Sequence, residues 1–492
     1  MALQSTRLLR RTRTDVVVIA ALSIISVAAV LIVYAGASIR NSEAIVAEHA
    51  YEPPAPRETI PEEFTEVARL HSAALPGDAL EPAVAAAAAP VVAAGLVITY
   101  EEQDGRHIVR AYAPETLADD HEQPSSAPDP YWEYSREYPL CSIAAAWDSV
   151  VLTYRNAAGC GDVVALDAAT GNYDATRSAV APDEVATIRS NDRVGTVSPE
   201  RVELWRSDLV RTVEYGAVEA PQEPGSQPYA QCTIHSALTR TELLAVVEHC
   251  PDDTDHSVLR LQQATPEDSR VPEIDSSIGL EHPNAHVVAV GQEAAAVYIP
   301  GEKPELMSFH SDGTRTSQRH VKPAAPIQAF SAAATADLPH HMTWFDGHRL
   351  YFFTPNELAV EHIIDPALGT GVAVDGKALV PTEFGISVVN WNTGEIERTI
   401  PLDRGDYDGP VSLAVAGEHL VEKRGIELVV LKERRPPARL ATGVVMQLHP
   451  RIRLWVEDHH QCDQCRGENE DAEKHGSTGH HLKRRCREYY LQ

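Results

Sequence analysis

The chain is 492 residues long, 43% hydrophobic and 23% charged, with a formal net charge of −29 and seven cysteines. That balance describes a folded body, and the length holds about two to four average domains or one large all-β domain. So large a negative surplus excludes nucleic acid and anionic lipid as ligands for the bulk of the chain, because both are bound by clustered cations that displace counterions.

Residues 1–15 carry Arg7, Arg10, Arg11 and Arg13, and the run from Val16 to Ala37 contains no charge. At about 1.5 Å per residue its roughly 22 positions span about 33 Å, which matches a hydrocarbon core about 30 Å thick. One transmembrane helix is expected over 16–37. Four arginines before it, against only Arg40 shortly after it, place the N-terminus in the cytoplasm and send the rest of the chain outward. The alternative is a cleaved signal peptide, since Ala35, Gly36 and Ala37 make a small-residue cleavage site. The apolar core of such a signal is usually about 7–15 residues, shorter than this run. No cysteine lies near its end, which excludes a lipid-modified N-terminus.

Residues 38–90 turn to Pro, Glu and Ala, with Pro53, Pro54, Pro56 and Pro61 close together. Such a composition buries too little apolar surface to order a domain and predicts a stalk. Within it Glu62 to Leu75 reads as a short amphipathic helix, and Ala83 to Ala89 is low-complexity sequence flanked by Pro82 and Pro90.

From residue 91 to 435 short apolar, β-branched runs alternate with Gly, Asp, Asn and Pro, the pattern of an all-β fold. The first unit runs from Val91 to Tyr100, turns at Asp104 and Gly105, and returns from His107 to Tyr112. Further hairpins fall near Val150, Val194, Leu244, Ala295, Leu350, Ala378 and Leu420. Their spacing is about 42–55 residues with one shorter gap of about 28, which suits four-stranded propeller blades. Eight blades are expected, with seven the alternative left by the short gap.

Cys141/Cys160 and Cys232/Cys250 bracket the same local pattern, a cysteine before an apolar run and a second one before the next strand. Matching pairs behind a membrane-length apolar segment predict two disulfides within blades, in an oxidising compartment. Each would close a loop of about 18–20 residues, for which chain entropy supplies about 3 kcal/mol.

The segment Val163 to Gly171, reading VVALDAATG, resembles the turn of PQQ-like β-propeller repeats, and Val388 to Gly394 is a weaker copy. The unit from Val91 to Thr116 is similar with its last turn altered, so the resemblance covers about residues 90–435. In such a turn Asp and Thr satisfy backbone donors and Gly supplies a positive φ, so the motif specifies a blade corner and no reaction. The resemblance implies an eight-bladed propeller in a superfamily that holds both quinoprotein dehydrogenases and non-enzymatic envelope proteins. Arginine outnumbers lysine 35 to 7, as in a GC-rich, for instance actinobacterial, genome.

Quinoprotein dehydrogenases carry adjacent cysteines, a calcium site and regular tryptophan docking motifs. This chain has no adjacent cysteines, and Trp132, Trp147, Trp205, Trp344, Trp391 and Trp455 do not recur at one repeat position. His340, His341 and His348 beside Trp344 and Asp346 have the residue types of a metal cluster, but loop histidines before a strand are more often solvated. No phosphate loop and no G-x-S-x-G elbow appears. No catalytic residue, cofactor-binding residue, cofactor or metal ligand is therefore assigned, and the site residues are the disulfide cysteines Cys141, Cys160, Cys232 and Cys250.

Residues 436–492 lose the repeat. Cys462, Cys465 and Cys486 with His480 or His481 have ligand types for tetrahedral zinc. The segment Arg466 to Ser477 between them has no apolar residue except Ala472, which is no core for a metal module. The expectation is a disordered tail without metal. Taken together, the sequence describes a single-pass membrane protein with an extracytoplasmic propeller that binds envelope protein partners as a non-enzymatic scaffold. An envelope enzyme with an unidentified funnel site, oxidoreductase or hydrolase, is the alternative.

Overall fold

The computed structural model describes residues 12–35, 42–55, 57–75, 89–119, 128–219, 221, 223–252, 255–327 and 334–434. The tail with Cys462, Cys465, Cys486, His480 and His481 lies outside the described residues. One helix, Arg13–Ala35, buries none of its residues and is long and apolar enough to cross a membrane or to serve as a signal sequence.

Apart from the short helix Pro114–Asp119, the remaining elements among the described residues are strands in eight antiparallel sheets, seven of four strands and one of five. We number the blades by the second strand of each: Leu96–Gln103, Ser149–Asn156, Val194–Val197, Leu243–His249, Ala294–Ile299, Met342–Phe345, Lys377–Thr382 and His419–Arg424. The innermost strand of blade 8, Val411–Ala416, packs on Val92–Ala93 of blade 1, which packs in turn on Leu140–Ala146 of blade 2, so the ring is closed. The short gap in the sequence pattern now has its cause. Leu350 lies on the third strand of blade 6, Leu350–Phe353, whereas the other hairpin markers lie on second strands.

The cores lie between blades. On the strand Gly159–Asp167, Val164 and Leu166 join the cluster shared with Trp132 and Tyr134 of blade 1, while Val163 and Ala165 join the cluster with Val194 and Trp205 of blade 3. Successive side chains of a strand point to opposite faces, and both faces are buried here, which is why the strand reads as a continuous apolar run.

The VVALDAATG turn is held as its residue types require. Thr170 donates its hydroxyl to Asp167 (2.5 Å), and the Gly171 amide bonds to the Asp167 carbonyl (2.8 Å) with φ at +73°. A Cβ on Gly171 would come within 2.8 Å of the Trp132 ring, whose Nε1 donates to the Ala168 carbonyl (2.8 Å). The outer strand of one blade thus docks on the turn of the next. The weaker copy in blade 7 does the same with another residue: Gly394, at φ +72°, faces the His362 ring of blade 6.

The structure departs from the sequence reading in the segment assigned to a stalk. Ser42–Ile45 forms a fifth strand on blade 1, and Phe64–His71 is the outer strand of blade 8, paired from Phe64↔Glu433 to His71↔Glu427. The helix expected over Glu62 to Leu75 is therefore a strand across Phe64–His71. Phe64 and Leu70 are buried there, and the strand takes its hydrogen bonds from a partner about 360 residues away, which no local composition reveals.

Strand direction divides the propeller into two faces. The connections between blades and the hairpins joining second to third strands lie on one, here the upper face; the other hairpins lie on the lower face. Residues 46–55 lie on the lower face. Ala47 and Tyr51 donate amides to Thr170 and Ala169 of blade 2, and Arg57 donates its amide to Gly417 of blade 8.

Candidate functional site

Three kinds of polar site follow from this frame: sealed ion pairs within and between blades, the rim of the axial channel, and the stapled upper face. The sealed pairs are numerous. Glu422 receives Arg404 (2.8 Å) and Arg424 (2.7 Å) with its side chain wholly buried. Arg136 meets Asp162 (3.2 Å) beneath the Tyr154 ring. A third network is not sealed: Glu203 and Glu214 of blade 3 hold Arg177, Arg201 and Arg211, with Trp205 donating its Nε1 to Glu203 (2.8 Å), and Arg201, Arg211 and Glu214 line a cavity of about 270 Å³ together with Asp268 and Arg270. Burial, and the neighbouring Arg177, Arg201 and Arg270 cations, pull the Arg211 guanidinium below its usual pKa although Glu203 opposes them.

Glu248 of blade 4 is the group that most resembles a catalytic acid. Burial raises its carboxyl above the ordinary range, against the opposing hydrogen bonds of Tyr215 and Arg260. Tyr215 donates to it at 2.6 Å and Arg260 at 2.8 Å, and the Arg260 guanidinium lies 3.6 Å from the centre of the Tyr229 ring. The side chain has no solvent-accessible surface, so no substrate reaches it as the protein stands.

The predicted disulfides are both present, Cys141–Cys160 and Cys232–Cys250, with Cα atoms 6.1 and 4.2 Å apart. They staple the same face. Each ties the start of an innermost strand, Leu140–Ala146 or Thr233–Arg240, to the hairpin between second and third strands of its blade. The two are not copies in detail, since Cys160 opens a third strand and Cys250 follows a second strand. Cys232, Cys250 and Glu248 lie within metal-binding distance of one another, but both sulfurs are spent in the bond and Glu248 is engaged as above. Beside them His235 stacks between His249 (6.0 Å) and His286 (6.2 Å). Burial, and then the His249 charge, lower the His235 pKa.

The sequence-marked histidines disperse. His341 pairs with Glu361 (2.9 Å), and His340 sits edge-on to the Trp391 ring (5.4 Å). Asp346 is occupied in shaping its turn: it accepts the amides of His348 (2.9 Å) and Arg349 (2.7 Å), the Arg349 Nε (2.7 Å) and the Tyr351 hydroxyl (3.1 Å).

One group of solvent-accessible charges lies where the innermost strands end, at the lower mouth of the channel. Arg189 ends Ala186–Arg189 of blade 3, exposed to water and donating to the Ala145 carbonyl of blade 2 (3.3 Å). The surrounding protein nevertheless lowers its pKa by desolvation. Arg240 of blade 4 pairs with Asp337 of blade 6 (3.0 Å), joining blades that are not neighbours, and burial raises the Asp337 carboxyl against the pull of Arg240. Sequence reading missed this rim, because its members are single charges at strand ends about 50 to 100 residues apart and converge only through ring closure.

No protein-family profile matches the sequence, and no curated protein matches it. Among solved structures the chain is similar to BamB from Moraxella catarrhalis, with 15% identity over 75% of this chain and 99% of that one and a TM-score of 0.40. It is also similar to AztD from Citrobacter koseri, at 14% identity over 66% and 88%, TM-score 0.38. A third is PorZ, a surface component of the type-IX secretion system of Porphyromonas gingivalis, at 11% identity over 73% of this chain and 42% of that one, TM-score 0.37.

Proposed function

We propose that the chain is a single-pass membrane protein, N-terminus in the cytoplasm, whose propeller stands outside the cytoplasm and binds an envelope protein without catalysing a reaction. The carrying observation is the division of its charges. The carboxylate most like a catalytic acid, Glu248, is sealed and hydrogen-bonded, whereas Arg189, Arg240 and Asp337, which are open to solvent, lie together at the lower ends of the innermost strands. A rim of this kind, on rigid strand ends, recognises a partner by charge and shape. Apolarity over Arg13–Ala35, the arginines before it and two disulfides support the membrane and compartment assignment.

Two experiments test this. A photo-crosslinking amino acid in place of Arg189, in cells carrying the full chain, is expected to trap one discrete envelope protein, and the same probe in place of Glu395 on the outer strand of blade 7 is not. Failure of every rim position to trap a protein overturns the binding reading. A reporter fused after residue 434 is expected to be active only if its activity requires export; cytoplasmic activity overturns the topology.

A further inference from the structure

We infer that the upper face of the propeller lies against the membrane and inserts Phe384 and Ile426 into the outer lipid interface. This rests on the anchored topology proposed above and adds an orientation to it. The helix ends at Ala35 and the propeller begins at Ser42, so six residues separate them, with a reach of about 25 Å at full extension. Ser42 pairs with Arg136, the last residue of the fourth strand of blade 1, and that end of the strand belongs to the upper face. The tether therefore holds the upper edge of blade 1 within about 25 Å of the bilayer. The chain leaves the propeller at the other side, since Glu433 pairs with Phe64 at the lower end of blade 8.

A tether to one edge permits the propeller to stand on its rim or to lie on its upper face. Ile45, Val210 and Ile396 are exposed as well but lie toward the lower face, away from the tether, and the most exposed large apolar side chain of the propeller favours the second. Phe384 is 76% exposed, more than any large apolar residue of the membrane helix itself, and Ile426 is 50% exposed. Both stand on upper-face hairpins: Phe384 between Lys377–Thr382 and Gly385–Asn390 of blade 7, Ile426 between His419–Arg424 and Glu427–Glu433 of blade 8. Blade 8 adjoins blade 1 and blade 7 adjoins blade 8, so Ile426 lies on the blade beside the point of tethering and Phe384 on the one after it. The connection leaving blade 2, on the other side of blade 1, adds Val180 at 45% exposure. Single apolar tips on rigid hairpins, held close to a bilayer, gain by entering its interface what they lose in water. A chain carrying −29 charges has no electrostatic attraction to anionic lipid, so the contact is apolar and holds equally on zwitterionic phosphatidylcholine. The lower mouth with Arg189, Arg240 and Asp337 then opens away from the membrane.

The test uses the full chain reconstituted in phosphatidylcholine vesicles whose acyl chains are brominated close to the headgroup. Two variants each add one tryptophan, Phe384→Trp on the upper face and Glu418→Trp on the lower face. Subtracting the parent emission isolates the added residue. Phe384→Trp is expected to lose roughly half of its emission to the bromines and Glu418→Trp none. Emission from Phe384→Trp that is unquenched overturns the inference; if it is also blue-shifted, a protein surface covers the tip instead. Equal quenching at both positions overturns it as well. Alkaline carbonate extraction of the same vesicles separates the two claims. Release of the chain sinks the anchor and this inference together, whereas retention with an unquenched Phe384→Trp sinks only the orientation.

Discussion

Replacing Glu248 tests whether the sealed pairs are structural. Glu248→Met leaves Arg260, 6% exposed, without its counter-ion, a loss of about 3–5 kcal/mol for a buried pair broken on one side. It also removes the acceptor of the buried Tyr215 hydroxyl, worth about 1–3 kcal/mol when left unmade. The two overlap, because Arg260 and Tyr215 share one carboxylate, so the expected cost is about 4 kcal/mol. Arg260→Met is expected to cost about 3 kcal/mol at pH 7, and the double replacement only about 1–2 kcal/mol, since two apolar side chains of similar length need no partners. Without Arg260 nothing cationic opposes burial, and the Glu248 pKa rises further. A carboxyl raised in the folded state takes up a proton on folding above the unfolded value of about 4.3, so stability falls as pH rises through that window. The Arg260→Met penalty should accordingly shrink on acidification toward pH 4.3, which a purely steric defect would not do. The assay is the urea midpoint of the detergent-solubilised chain, followed by tryptophan emission, with an unchanged m-value required of each variant. A Glu248→Met cost below about 1 kcal/mol, or a double variant that loses the sum of the singles, refutes the reasoning.

Phe64→Ala, on the strand that closes blade 8, should cost about 3 kcal/mol in the same urea assay, because the side chain is buried and the ring depends on that strand; an unchanged midpoint would mean that the ring closes without it. Cys232→Ser with Cys250→Ser should cost about 3 kcal/mol from the loop the bond closes. Non-reducing peptide mapping of the parent should recover both intra-blade pairs, and alkylation of any of the four cysteines would contradict them. Burial holds His107, His235 and His419 below the ordinary histidine value of about 6.5. The unfolded chain then binds protons that the folded chain refuses, so stability is full above about pH 6.5 and declines as pH falls toward the folded values. His235→Asn should flatten that decline, and an unaltered slope would count against the assignment.

Much of this molecule is settled by neighbours along the chain. The apolar run after Arg13 is a helix by length and composition, and the blade strands announce themselves because both their faces are buried and leave unbroken apolar runs such as Val163 to Leu166. Asp167, Thr170 and Gly171 specify their turn through bonds within five residues. The cysteine pairs, 19 and 18 residues apart, were equally legible. What the tertiary structure alone decided are features whose partners are remote. FTEVARLH contains good helix formers and no strict alternation, and it becomes a strand only because Glu427–Glu433 presents an open edge to it. His362 occupies in blade 6 the docking position that Trp132 holds in blade 1, a substitution visible only once each ring lies on the glycine of the next blade's turn. The same holds for function: Arg189, Arg240 and Asp337 are isolated letters in the sequence, and closure of the ring makes them one rim. Local chemistry fixes strands and turns because their hydrogen bonds are short-range, whereas a site assembled from several blades exists only after the long-range contacts have formed.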